Sequence, residues 1–227
     1  MSLDILLQDN HLLVVDKPAG CPVVPDDSGD LSLLDLARAW IREVAQKPGN
    51  VYVGVVHRLD RPVSGIVLFA RTSKAAERLS AQLREHRFKK LYLAQARGSL
   101  PRPEGEVVQW LRKDEATNTV HVLRGPAPGA KQAITRYRVR SQVGDLYELE
   151  LEPVTGRSHQ LRVAMASLGA PLLGDLKYGA LAAIPGRNIS LHAALLQFKH
   201  PTLGEDVVVR SPPPWAPREE AIRGSAR

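Results

Sequence analysis

Apolar residues in this chain come in short runs, each closed by turn chemistry, and that punctuation calls for a sheet. Leu12-Leu13-Val14-Val15 ends in Lys17-Pro18-Ala19-Gly20; Val51 to Val56, Gly65 to Ala70 and Leu91 to Ala96 have the same character. Leu146 to Leu151 alternates apolar with polar, so one face is wet. Strand candidates follow at Ile189–Phe198 and Asp206–Arg210, with turns near Pro101–Gly105 and Gly125–Gly129. Three stretches take a helical period instead. Ser32 opens one with Asp35 as its capping-box partner, Leu34, Ala37, Ile41 and Val44 share a face, and Lys47-Pro48-Gly49-Asn50 stops it. Ser73 caps a second that runs to about Arg87 on a stripe of Ala76, Leu79 and Leu83. A third runs from about Ser158 to Leu168 and stops at Gly169. These patterns predict a mixed α/β or α+β domain with a largely antiparallel sheet over residues 1–215. The residues after Ser211-Pro212-Pro213-Pro214 read as a poorly ordered tail, 216–227. With 44% hydrophobic residues in 227, the chain can bury a real core.

No stretch approaches the roughly 18 apolar residues that span a bilayer, and the start does not read as a secretory signal. The lone cysteine, Cys21, forms no intrachain disulfide and fits a reducing compartment, so a cytoplasmic location without membrane association is expected. A formal net charge of +7 favours an anionic partner, nucleic acid ahead of an acidic membrane surface. Arg71, Lys74, Arg78, Arg84, Arg87, Lys89, Lys90 and Arg97 stand against only Glu77 and Glu85. Such a stretch reads either as a solvated helix face or as a phosphate-contacting surface, which Arg136, Arg138 and Arg140 would extend.

Chemistry is concentrated in two places. His57, Arg58, Asp60 and Arg61 lie in a loop between two apolar runs, where charge needs partners. Two readings fit the loop equally: a structural salt bridge, or a catalytic group. Thr155-Gly156-Arg157-Ser158-His159-Gln160-Leu161-Arg162 sits at a strand-to-helix junction. There His159 and Arg162, three apart, share a face opposite Leu161, Ala164, Met165 and Leu168. An arginine there would hold a nearby carboxylate ionised; the plainer reading is a solvated helix face.

Together these segments resemble a known family. His57-Arg58-Leu59-Asp60-Arg61-Pro62-Val63-Ser64-Gly65 is similar to the catalytic motif of RluA-type RNA pseudouridine synthases, and Thr155 to Val163 to that family's late arginine motif. Asp16-Lys17-Pro18-Ala19-Gly20, Lys90-Leu91-Tyr92-Leu93-Ala94, Gly174-Asp175-Leu176-Lys177-Tyr178-Gly179 and Leu191-His192-Ala193 match in the family's order, so the resemblance spans Leu12 to Pro201. Val63, Ser158 and Ala164 depart from commoner residues and bear on substrate preference.

The resemblance implies an α+β pseudouridine synthase fold, a central sheet flanked by helices with a central RNA-binding cleft. It gives Asp60 the role of essential carboxylate, Arg162 that of its partner, and Tyr92 a place against the uracil ring, where it removes the proton from C5. Arg58, Arg61, His57, Lys89, Lys90, Arg84, Arg157 and His159 are the expected RNA-binding residues. The target uridine must leave its stack to be reached. The isomerisation oxidises nothing and needs no donor, so no cofactor is expected, and the sequence has neither phosphate-loop nor dinucleotide fingerprint. Its histidines lack metal-ligand spacing, so no metal is expected either. The Lys17-Pro18 motif begins so early that no separate N-terminal RNA-binding domain is expected, which favours a compact stem-loop of rRNA or tRNA as substrate; a monomer is expected. Two rivals remain: a glycosylase using Asp60 to release a base, and a non-catalytic RNA-binding factor on the same fold. A serine hydrolase built from His57, Asp60 and Ser64 lacks the G-x-S-x-G elbow.

Overall fold

A computed structural model describes residues 3–46 and 51–216. In chain order its elements are β1 (Asp4–Gln8), β2 (Leu12–Lys17), α1 (Leu33–Ala45), β3 (Gly54–Val55), β4 (Ser64–Ala70), α2 (Ser73–Arg84), β5 (Lys89–Arg97) and β6 (Glu104–Asp114). Then come β7 (Thr119–Leu123), β8 (Lys131–Val143), β9 (Leu146–Pro153), α3 (Gln160–Ser167), β10 (Leu191–Lys199) and β11 (Asp206–Arg210), with 3-10 turns at Leu176–Tyr178 and Pro185–Arg187. They fall into two compact units, one formed by the chain up to Lys89 together with the stretch from Ala193 onward, the other by Lys90–His192. Strands paired edge to edge with a few helices make the protein α+β, as the sequence predicts. Among the described residues no helix is long and apolar enough to cross a membrane.

The first unit is ordered β1-β2-β4-β10, with β11 beside β10 and β3 beside β4. Every residue of β4 is buried, which explains its unbroken apolar run: both faces are covered. Ile66, Leu68 and Ala70 on one face of β4 meet Ala75 and Leu79 of α2, with Leu12, Val14, Leu196 and Phe198 completing the cluster. Antiparallel pairing puts Lys17 opposite Gly65. The turn leaving β2 and the loop entering β4 therefore emerge side by side.

Both helices of this unit have side-chain caps. Ser32 and Asp35 form the reciprocal capping box. On α1, Leu34, Ala37 and Ile41 are buried but Val44 is 58% exposed; periodicity fixes a helix's face but not how far the covering surface extends along it. For α2 the cap is Thr72, whose hydroxyl accepts from the Ala75 N–H at 3.2 Å, not Ser73. Adjacent Thr and Ser offer the same cap chemistry, and only the extended backbone of Thr72 separates them. The helix ends at Arg84, and its buried residues are Ala75 and Leu79, with Ala76 and Leu83 half-buried. The expected α1 stop at 47–50 and, apart from Ala216, the expected tail lie outside the described residues.

Gly65 belongs to the charged motif for a backbone reason. Its φ is +111°, and a Cβ there would meet the Ala193 backbone N and O at 2.5 Å. Gly65→Ala is expected to cost about 2–4 kcal/mol in denaturant unfolding; unchanged stability would contradict this close approach.

In the second unit the strands run β5-β9-β8-β6-β7. Adjacent strands pair antiparallel, and β8 carries a register shift between Val139 and Ser141. On β9, Tyr147, Leu149 and Leu151 are buried while the alternate residues are not, as their pattern predicts. The outer face carries a charge ladder. Arg136 reaches Glu106 at 3.0 Å, Arg138 reaches Glu104 at 3.1 Å and Arg140 approaches Glu150 at 3.6 Å. Register supplies these partners: Glu104 faces Arg138, and Glu106 faces Arg136. The three arginines are thus matched by carboxylates, which tells against their extending an RNA surface. Helix α3 lays Val163 on Leu111, Val120 and Ala133, with Tyr178 against the cluster.

Candidate active site

In the first unit, His57–Val63 is an irregular loop leading into β4, and Ser64 and Gly65 already belong to that strand. Leu59 and Val63 are buried, the Val63 N–H donates to the Asp60 carbonyl at 3.0 Å, and the half-buried Asp60 sits at the head of that turn. The carbonyl of Arg61 accepts from the Gly20 N–H at 2.8 Å and from the Lys17 ammonium at 3.0 Å. Lys17 is fully buried and also donates to the carbonyls of Cys21 at 2.7 Å and Pro18 at 3.1 Å. Burial pushes its pKa down to about 8, while Cys21 and Asp60 pull it up. The Asp-Lys-Pro-Ala-Gly turn is therefore a clamp on the Arg61–Pro62 peptide, one residue past Asp60. Its residues were recognisable in the sequence, but that purpose was not.

The remaining loop residues divide by what they touch. His57 accepts the Leu68 N–H on Nε2 at 3.1 Å, which orients the loop against β4. Arg58 is exposed. The Arg61 side chain donates to the Gly20 carbonyl at 3.0 Å and meets Asp26 and Asp30, tying the 20–30 loop to the motif. Being partly exposed, that pair contributes little stability. In the basic stretch, Arg71 bonds the Asp9 carbonyl, Arg78 the Pro201 carbonyl at 2.7 Å, and Arg87 pairs with Glu85 at 2.7 Å. Lys74, Arg84 and Lys89 are exposed.

In the second unit, Tyr92 stands half-buried on β5 opposite Leu151 of β9, two residues past Lys90, whose pKa burial lowers. The arginine motif is wired to β8 by one carboxamide. Gln160 donates to the Ile134 carbonyl (2.9 Å) and the Thr135 hydroxyl (3.0 Å), and accepts from the Thr155 hydroxyl (2.7 Å) and the Arg157 N–H (3.0 Å). All four of its hydrogen-bonding positions are filled. Arg157 itself donates to the Gln132 carbonyl at 2.9 Å.

Helix α3 begins at Gln160 rather than Ser158, because His159 takes a left-handed backbone at φ +50°. Residues Gln160 to Met165 are all buried, so His159 and Arg162 do not lie on a solvated face. Arg162 forms a bidentate pair with Asp175, Nε to Oδ2 at 2.7 Å and Nη2 to Oδ1 at 2.8 Å, and lies 5.0 Å from the centre of the Tyr178 ring. Asp175 and Tyr178 belong to a motif visible in the sequence, yet local pattern gives no sign of this pairing. Among the described residues, no cluster of His, Cys, Asp or Glu is arranged to hold a metal ion.

The sequence model of the family described as RNA pseudouridylate synthase matches residues 11–167, a span that includes Asp60, Tyr92 and Arg162. The chain belongs to this family. An uncharacterised RNA pseudouridine synthase of Bacillus subtilis, YhcT, is 37% identical over 216 residues, covering 93% of this chain and 69% of that protein. The dual-specificity RNA pseudouridine synthase RluA of Haemophilus influenzae is 37% identical over 210 residues, covering 89% and 90%. In structure the chain is similar to human RNA pseudouridylate synthase domain containing 4, with a TM-score of 0.77 and 25% identity over 93% of this chain and 89% of that one. The protein is thus an RluA-type RNA pseudouridine synthase, an isomerase with the pseudouridine synthase fold and an RNA substrate.

Proposed function

We propose that Asp60 is the catalytic carboxylate of a pseudouridine synthase whose substrate is a stem-loop of rRNA or tRNA. The observation that carries the reading is the anchoring of its loop: Lys17 and Gly20 both hold the Arg61 carbonyl, fixing the Arg61–Pro62 peptide one residue past Asp60. Asp60 opens the reaction at the ribose, as a nucleophile at C1′ or a base at C2′. The N1–C1′ bond breaks, the uracil turns while held, and a C5–C1′ bond forms. Tyr92 lies against the ring and takes the proton from C5, while N1 regains a proton. Arg162 is the positively charged partner that the family resemblance assigns to that carboxylate. Arg58, Lys89, Arg84 and Arg157 contact phosphates, with His57, His159, Arg61 and Lys90 supporting the RNA-facing loops. Residues 1–215 act together as the catalytic domain, as a cytoplasmic monomer.

Names of relatives support the substrate class: one is a ribosomal large subunit pseudouridine synthase, another a tRNA pseudouridine synthase. Pseudouridine maps of cellular RNA with and without the protein are expected to differ at sites in structured rRNA or tRNA. Maps that do not differ would remove this substrate reading. RNA carrying tritium at uridine C5 is expected to release tritium with no free uracil; free uracil as product would favour the glycosylase.

A further inference from the structure

We infer that Asp175 and Tyr178 are positioning residues for the isomerisation, Asp175 holding one edge of the Arg162 guanidinium and the Tyr178 ring lying under its central carbon. The inference rests on the reading that gives Arg162 a part in catalysis.

An arginine side chain has four rotatable bonds, so a position on a helix does not fix its charged end. Here two outside groups do. Asp175 takes the Nε/Nη2 edge through two short, nearly equal bonds, with both side chains almost wholly buried. Arg162 Cζ lies over the Tyr178 ring, 5.0 Å from its centre. The ring is itself held: its hydroxyl accepts from the Val120 N–H at 2.8 Å and bonds His159 Nδ1 at 2.7 Å.

Local geometry serves this arrangement. The tight turn over Leu176–Tyr178 brings residues 175 and 178, three apart, to the same side. Gly174, just before its cap residue Asp175, has φ +81°, and a Cβ there would meet the Asn188 carbonyl oxygen at 2.5 Å. His159, which ties the ring, is the residue in left-handed backbone at the start of the arginine's own helix. A buried ion pair is a weak way to add stability compared with apolar packing, but a bidentate pair is a strong way to fix an angle.

The test uses the full chain, with single-turnover pseudouridine formation at saturating RNA, RNA affinity and thermal melting measured side by side. Asp175→Asn is expected to lower the single-turnover rate about a hundredfold with RNA affinity within a few-fold. Because that change disturbs a buried pair, Tyr178→Phe is the second probe. It keeps the ring but loses the hydroxyl, and is expected to lower the rate about tenfold with melting shifted by less than about 4 °C. In an Arg162→Lys background neither change should lower the rate further, because no fork remains to orient. Wild-type rates in both single variants, or losses that multiply in the Arg162→Lys background, would overturn the inference. Parent-like rates in both Asp60→Asn and Arg162→Lys would instead overturn the underlying reading, whereas a slowed but measurable Arg162→Lys rate leaves the double-variant comparison readable, which keeps the two failures distinct.

Discussion

Asp60→Asn is expected to abolish pseudouridine formation, by about four orders of magnitude or more in single-turnover rate, while RNA affinity stays within a few-fold. The asparagine is nearly isosteric and keeps the turn, because the Val63 N–H bonds the backbone carbonyl of residue 60 and not its side chain. The change removes the charge and turns one acceptor oxygen into an amide donor. A neutral amide is neither the nucleophile at C1′ nor the base at C2′, so both versions of the first step fail together. The phosphate contacts proposed for the exposed lysines and arginines are untouched by the change, so binding is expected to persist. Tritium release from RNA labelled at uridine C5 gives the rate, and filter binding gives the affinity. A variant turning over within tenfold of the parent would remove Asp60 from the chemistry.

Lys17→Met is expected to lower the single-turnover rate about a hundredfold, although Lys17 donates only to backbone carbonyls. Methionine fills a similar volume but releases the Arg61 carbonyl from one of its two donors and leaves the buried end of the clamp unpaired. At neutral pH the change also removes the cost of burying an ammonium, so the two effects on stability oppose each other. Their pH dependence separates them. The folded pKa of Lys17 is about 8, below the ordinary 10.5. Under about pH 8 both folded and unfolded chains carry the proton, and the burial cost is fully present. Between about 8 and 10.5 the unfolded chain holds more protons, so this group makes the folded state more stable as pH rises. Lys17→Met loses that gain. Denaturant unfolding of the two proteins at several pH values is expected to show the parent gaining on the variant across this window, by a few kcal/mol at about 1.4 per pKa unit. Parallel stability curves together with unchanged activity would show that the clamp has no such role.

Interactions a few residues long were readable without coordinates. The Ser32–Asp35 capping box, the alternation of β9, the stop at Gly169 and the bounds of β11 came through as read, because capping and periodicity act within one turn or one strand. Weaker local signals failed. The edge strand β1 has only three apolar residues between polar ends and was not read, and the Val51–Val56 run yields just Gly54–Val55 as strand. The motifs also identified the family, since spacing and order survive in sequence.

Tertiary structure decided what each charged residue does. Asp175 reaches Arg162 across 13 positions, Lys17 reaches the Arg61 carbonyl across 44, and Glu104 meets Arg138 only through the register of β6 on β8. Nothing local selects those partners. A charge in sequence is only a demand for a counterpart. Which one it gets depends on strands far apart in the chain being zipped in one register and on burial making every unpaired group costly.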